Sequence, residues 1–217
     1  MNILEVKDLC KTYIVNKRQN NVLKNINFAI GEGEMVAVMG PSGSGKSTLL
    51  YTVSGMDDVT AGDVNFCEKI LQGWAKENKK LREPRKETAR RGQNLMRRLG
   101  IIEIADNDIN EVSGGQLQRA CICRSMINDP KMIFADEPTG ALNRASSNEV
   151  MEELVKLNSE GTTIMLVTHD VKVAAKCTRA MYIVDGNIKG EYDLSDCSTQ
   201  IRERERALNN WLLELGW

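Results

Sequence analysis

The first part of the chain alternates short apolar runs with polar punctuation, which is the signature of β-structure. Leu4 to Val15 and Val22 to Ile30 read as strands separated by a polar loop, Asn16 to Asn21. Gly31-Glu32-Gly33-Glu34 is a turn, and Met35-Val36-Ala37-Val38-Met39 is a continuous apolar run that suits a strand buried on both faces. A glycine-rich segment follows, then helical spacing through Leu49, Leu50 and Val53. Residues 75 to 99 predict a basic helix interrupted at Pro84, and Gln116 to Met126 predicts another. Met132 to Ala135 and Thr163 to Val167 are further buried-strand candidates, with a helix at Ser147 to Leu157 between them. That alternation predicts an α/β sheet of mainly parallel strands. Asp185-Gly186, between Met181 to Val184 and Asn187 to Tyr192, is a two-residue hairpin signal. In the tail, Leu208, Trp211, Leu212 and Leu215 form a stripe at helical spacing, fit to dock on the protein's own surface or to meet a partner.

Composition narrows the picture. The 217 residues are 41% apolar and 27% charged, ordinary for a globular protein, and only 5% aromatic, so the core must be aliphatic and methionine-rich. A net charge of −1 gives no general reason to expect nucleic acid as a partner. Residues 76 to 98 do hold ten Lys/Arg against three Asp/Glu, but the run lacks aromatics and reads as a solvated helical face. The six cysteines, Cys10, Cys67, Cys121, Cys123, Cys177 and Cys197, form no paired CxxC array and read as reduced thiols. Met1 to Lys7 places charges where the apolar core of a secretory signal would sit, and no apolar run approaches membrane-spanning length. The expectation is a cytoplasmic protein; if a membrane is involved, another polypeptide crosses it.

Two blocks carry chemistry. Gly40-Pro41-Ser42-Gly43-Ser44-Gly45-Lys46-Ser47 matches GxxxxGK[ST], after a strand and before a helix, the context the motif requires. Glycines let backbone N–H groups turn toward phosphates, and the helix N-terminus adds partial positive charge. Lys46 can reach the β- and γ-phosphates, and the Ser47 hydroxyl, followed by Thr48, can ligate Mg²⁺. The second block, Met132 to Glu137, is an apolar strand ending in two carboxylates. Alone it could be an acidic turn. Beside the glycine loop, Asp136 reads as a Mg²⁺ ligand, direct or through water, and Glu137 as the group that polarises an attacking water.

Val112-Ser113-Gly114-Gly115-Gln116, between these blocks, resembles the LSGGQ signature of the ABC ATPase family, with Val112 in place of leucine. The resemblance runs from about residue 2 to 192. Leu49 to Asp57, Gly140-Ala141-Leu142-Asn143 and the tail from Arg202 to Trp217 are most similar to exporter ATPases for macrolides, lipoproteins and peptide antibiotics, the bacitracin-type branch nearest. It implies a P-loop NTPase core with a mainly parallel sheet, an N-terminal antiparallel β-subdomain and a shortened helical subdomain, about residues 71 to 128, all within one ABC ATPase domain over residues 1–217. A C-terminal helix, about 200 to 217, completes it. It also implies that Ser113, Gly114, Gly115 and Gln116 of one subunit cover the γ-phosphate of ATP held by the other, in a head-to-tail homodimer. His169, the sole histidine and otherwise as apt for a structural role, becomes a switch residue on the γ-phosphate. Tyr13, otherwise a strand tyrosine on the core, becomes the aromatic that stacks on adenine. The implied partner is a transmembrane permease subunit at the inner face of the membrane.

The pattern also departs from the family. Asn143 stands where most members have aspartate. More seriously, Lys46 and Ser113 are 67 positions apart, several tens fewer than the resemblance implies. Gly62 to Phe66 begins a strand region, but the chain passes almost at once into Gln72-Gly73-Trp74, where Gln72 could stand as a displaced Q-loop glutamine. Two readings follow: a Mg²⁺-dependent ATPase driving a permease, or an ATP-binding module with impaired hydrolysis or coupling.

Overall fold

The computed structural model describes residues 1–67, 69–70, 85–195 and 200–217. Gln72, Gly73, Trp74, Pro84, the start of the expected basic helix and Cys197 lie outside them.

The N-terminal strands are longer than their apolar runs. β1 (Asn2–Val15) and β2 (Arg18–Gly31) form an antiparallel hairpin that continues through the polar residues expected to be loop. The turn is only Asn16-Lys17, both at positive φ (51° and 63°), the two-residue geometry that matches strand twist. β4 (Ala61–Phe66) pairs antiparallel with β1, and β5 (Lys69–Ile70) extends that sheet to the order β2-β1-β4-β5. The region expected to start a strand at Gly62 therefore belongs to the antiparallel layer.

The second sheet has the order β6-β7-β3-β8-β9. β3 (Met35–Met39), β6 (Met132–Asp136), β7 (Thr163–Val167) and β8 (Arg179–Val184) run parallel; β9 (Asn187–Asp193) returns antiparallel through the predicted Asp185-Gly186 turn. Because side chains alternate along a strand, the apolar runs feed two cores. Met35, Ala37, Met39, Ile164 and Leu166 face one, together with Val150, Met151, Leu154 and Leu157 of α4 (Arg144–Ser159). Val36, Val38, Met165, Val167 and Ile183 face the other, against the antiparallel sheet and Leu49, Leu50 and Val53 of α1 (Lys46–Val53). The strands bearing the chemical motifs thus sit between two dry layers, which fixes where their C-terminal ends point.

The described helices between β5 and β6 are α2 (Arg85–Arg98), two 3₁₀ turns at Ile102–Ile104 and Ile109–Glu111, and α3 (Gly114–Met126). After β7 comes the single-turn α5 (Val171–Ala174), and the tail is α6 (Ile201–Glu214). The tail stripe docks on the protein itself. Leu208 and Leu212 are fully buried, Trp211 lies 5.3 Å from the Tyr192 ring, and Trp217 lies 5.7 Å from Tyr182. Of the described cysteines, Cys10, Cys67, Cys121, Cys123 and Cys177 are free thiols. Among the described residues no helix is long and apolar enough to cross a membrane.

Candidate nucleotide site

The glycine loop leaves β3 at Gly40 and enters α1 at Gly45, and its backbone demands glycine at specific places. At Gly40 a Cβ would lie 2.1 Å from the Ile183 carbonyl oxygen, so the loop can pass β8 only without a side chain. Gly43 and Gly45 hold φ of 79° and 101°, in the left-handed region. Gly45 is also the N-cap of α1, and no side chain caps that helix. Its N-terminus is thereby left to an external acceptor, the arrangement that binds phosphate. Ser44 is buried at 3% exposure and its hydroxyl has no hydrogen-bond partner, a second group in the cradle suited to a ligand oxygen. Pro41 and Ser42 form the exposed tip of the loop.

Lys46 folds back over this loop. Its Nζ donates to the carbonyls of Gly40 (2.8 Å) and Pro41 (2.9 Å). Burial pulls its pKa down from the ordinary lysine value, while the carboxylates of Glu137 and Asp136 push the other way. Those carboxylates arrive on β6. Asp136, its last residue, accepts from the Ser47 hydroxyl at Oδ1 (3.1 Å) and from the Tyr51 hydroxyl at Oδ2 (2.9 Å). The hydrogen bond to Asp136 raises the Tyr51 phenol pKa.

Glu137 follows with φ of 46°, an uncommon conformation for a non-glycine residue and one that gathers at functional sites. Its amide donates to the Val167 carbonyl at 3.0 Å, which aligns the ends of β6 and β7. One carboxylate oxygen, Oε1, lies 2.9 Å from His169 Nδ1; the other, Oε2, is buried without a partner. His169 is set by the turn after β7, where the buried Thr168 hydroxyl accepts from the Asp170 amide (3.1 Å) and Asp170 caps α5.

Ser113, Gly114, Gly115 and Gln116 build the start of α3 rather than a loop ahead of it. Ser113 is the N-cap; its hydroxyl accepts from the Gln116 amide (3.3 Å), and its own amide donates to Gln116 Oε1 (2.8 Å). A Cβ at Gly114 would come 3.0 Å from the Leu142 side chain, and one at Gly115 3.0 Å from Ser146 of α4, so glycine eases a tight approach at both. Among the described residues no hydrogen bond or ion pair ties this turn to the glycine loop of the same chain. Asn143 caps α4, its Oδ1 accepting from the Ser146 amide at 2.9 Å, a task asparagine performs as well as aspartate.

Tyr13 is partly exposed, not packed as core. Its hydroxyl donates to Asp57 and its ring lies 4.8 Å from Lys11 Nζ, which itself donates to Asp57 Oδ1 at 2.6 Å. The hydrogen bond to Asp57 raises the Tyr13 pKa, burial and the Asp57 charge add to it, and a hydrogen bond with Thr48 of α1 opposes. Burial disfavours ionised Asp57, but the contacts from Lys11 and Tyr13 outweigh it and hold its carboxyl below the ordinary value. Tyr13 and Thr48 therefore sit together at the edge of the glycine-loop helix. Sequence reasoning missed Lys11, Asp57, Tyr51 and Thr168. Tyr51 had a usable signal, lying four residues after Ser47 on the same helix face.

The residues brought together fit Mg²⁺. Cis ligands of an octahedral ion with bonds of about 2.1 Å stand about 3.0 Å apart, and Ser47 Oγ and Asp136 Oδ1 are separated by 3.1 Å. Among the described residues no cluster of three His, Cys, Asp or Glu is arranged for a metal.

Residues 23–140 match the family model described as ABC transporter. The chain is 36% identical to the bacitracin export ATP-binding protein BceA of Halalkalibacterium halodurans, over 92% of each chain. It is 34% identical to the uncharacterized ABC transporter ATP-binding protein YknY of Bacillus subtilis, over 86% of this chain and 95% of that one. In structure it resembles the dimeric form of MJ0796, a bacterial ABC transporter cassette, with a TM-score of 0.78, 31% identity and coverage of 88% and 98%. It also resembles the same cassette in a dimeric post-hydrolysis state with ADP and Pi, at a TM-score of 0.71, 30% identity and the same coverage. The alignment to BceA runs over 233 positions, so about 33 positions of that relative face no residue of this chain.

Proposed function

This chain belongs to the ABC transporter family as an ABC-type ATPase subunit, and on that premise we propose that it hydrolyses ATP with Mg²⁺ to power an exporter. The observation that carries this is the convergence of Lys46, Ser47, Asp136, Glu137 and His169 at the C-terminal ends of β3, β6 and β7. The glycine loop and the uncapped start of α1 take the triphosphate, and Tyr13 beside Thr48 stacks on the adenine. Lys46 exchanges two backbone carbonyls for the β- and γ-phosphates. Ser47 and Asp136 are the residues that would hold Mg²⁺, which neutralises charge on the phosphates as the bond breaks. Glu137 Oε1 or Oε2 accepts the proton of the attacking water, and His169 steadies that carboxylate and reaches toward the γ-phosphate.

Among the described residues, Ser113 to Gln116, at the start of α3, supply no hydrogen bond or ion pair to the glycine loop of their own chain, so the cover over the γ-phosphate is not made within it. We infer that a second copy, packed head to tail, supplies it. The dimeric form of MJ0796 supports a pair of cassettes, and the name of BceA supports export of a peptide antibiotic as the transport task. A separate transmembrane permease at the inner face of the membrane would use the closure and reopening of the pair. No nucleic acid partner is expected. The test is Mg²⁺-dependent phosphate release by the purified chain, with Glu137→Gln as its control.

The second reading, a module that binds ATP but couples poorly, is favoured by the positions of BceA that have no counterpart here. In the family the segment after the glycine loop leads through the Q-loop to the groove for the permease. Loss of such a segment would slow turnover without removing the phosphate contacts of the glycine loop, and would leave no docking surface. On this reading the 217-residue chain binds Mg-ATP but is not stimulated by a membrane subunit. Substrate-stimulated ATPase activity in a complex with a permease would exclude it.

A further inference from the structure

Asp136 ends β6, where its side chain could rotate unless both carboxylate oxygens were held. Both are held, and from one helix. Ser47 and Tyr51 lie four residues apart on α1, one turn, so their hydroxyls project from the same face. Ser47 donates to Oδ1 at 3.1 Å and Tyr51 to Oδ2 at 2.9 Å. The Tyr51 side chain does little else to hold the helix in place. Tyr51 is 42% exposed, whereas Leu49, Leu50 and Val53 are the residues of α1 buried in the core.

If Ser47 gave a lone pair to a metal and Asp136 faced the same ion, the Ser47 hydroxyl hydrogen could still reach Oδ1, but that oxygen would then be shared with the ion or its water. Tyr51 is the hydroxyl on the other oxygen, away from the ion, and so the one that fixes the plane of the carboxylate independently of it. A carboxylate held at one oxygen presents the other in a defined direction, and such outer contacts tune metal affinity through geometry. We propose that Tyr51 is a positioning residue for the metal carboxylate, holding Asp136 Oδ2 so that Oδ1 and the Ser47 hydroxyl face the ion together. This rests on the reading of Ser47 and Asp136 as the Mg²⁺ holders.

Tyr51→Phe removes only the hydroxyl. Binding of Mn²⁺ would be measured by electron paramagnetic resonance in the presence of adenylyl-imidodiphosphate, with thermal melting as a fold control. Binding of the same analogue in EDTA reports nucleotide affinity without metal. Outer contacts of this kind alter metal affinity by about 10- to 100-fold when buried, so an exposed neutral one should weaken Mn²⁺ binding about three- to tenfold. Analogue affinity in EDTA and the melting temperature should not change. Unchanged or tighter Mn²⁺ binding overturns the proposal. So does a parallel loss of melting temperature and metal-free affinity, which would make Tyr51 a structural tie between α1 and β6. Asp136→Ala separates the levels. If it weakens Mn²⁺ binding while Tyr51→Phe does not, only the role of Tyr51 fails; if neither does, Asp136 is not a metal holder.

Discussion

Glu137→Gln isolates proton acceptance from everything else Glu137 does. The amide keeps the side chain's size and can still pair with His169, and the backbone at φ 46° is no harder for glutamine than for glutamate. The His169–Glu137 contact is open to water, with the histidine side chain 67% exposed, so its contribution to stability is about 0–1 kcal/mol and melting should barely move. Nucleotide binding should not weaken. The Glu137 charge is one that Lys46 feels, and removing it takes a negative charge away from an incoming triphosphate. The loss falls on chemistry. A positioned general base contributes about 10²–10⁴-fold, or about 3–5.5 kcal/mol of barrier, and glutamine cannot supply it. Single-turnover phosphate release should slow by that factor, while a fluorescent ATP analogue binds as before. With hydrolysis blocked, ATP should trap a dimer visible on a sizing column. Equal turnover in variant and parent would refute the assignment. Slow turnover together with lost ATP binding would mean that Glu137 shapes the pocket instead of accepting a proton.

Lys46→Ala removes a charge-assisted phosphate contact, so affinity for a fluorescent ATP analogue should fall by about 1.5–3 kcal/mol, roughly ten- to a hundredfold or more; unchanged affinity would place the phosphate site elsewhere. Cys177 is fully buried and burial pushes its thiol up to about 12, above the value near 9 of an exposed thiol. The folded state thus resists ionisation: its stabilising share is intact below about pH 9 and drains away between about pH 9 and 12 as the unfolded chain loses the proton first. Urea unfolding should lose about 2 kcal/mol between pH 7 and pH 10.5 from this group, and Cys177→Ala should lack that increment of the alkaline slope.

What was legible in the sequence was whatever a local rule states. The apolar runs of β3, β6 and β7 and the Asp185-Gly186 turn were read correctly because burial on both faces and paired positive φ leave plain marks. The misses came where a tertiary contact overrides a local one. Arg18 to Asn21 are polar and suggested loop, yet they are strand because each pairs across to β1. Their turn, Asn16-Lys17, lacks the glycine that usually announces it. The helix expected from Gln116 starts two residues earlier, at Gly114, because the Ser113 side chain caps it there. What favours glycine at both places was not local: a Cβ would crowd Leu142 and Ser146, 28 and 31 positions on. Tyr51 was half legible: its place four residues after Ser47 put it on the same helix face, but its partner Asp136 is 85 residues distant.

The two helix starts proposed to meet phosphate differ in how each is already capped. α1 begins at a glycine with no capping side chain, so triphosphate can bind there without displacing a protein group other than the reversible Lys46 contacts. α3 is already capped by its own Ser113–Gln116 box. The Ser113 hydroxyl gives only a lone pair to the Gln116 amide, at 3.3 Å, so its hydrogen remains to donate to an incoming oxygen while the cap stays made. On the proposed reading, binding to a single chain needs only the first helix, whereas covering the nucleotide takes a second copy whose Ser113 turn is already built. ADP, lacking the γ-phosphate, would give that hydroxyl no acceptor, so the proposed pair should close with ATP and reopen with ADP.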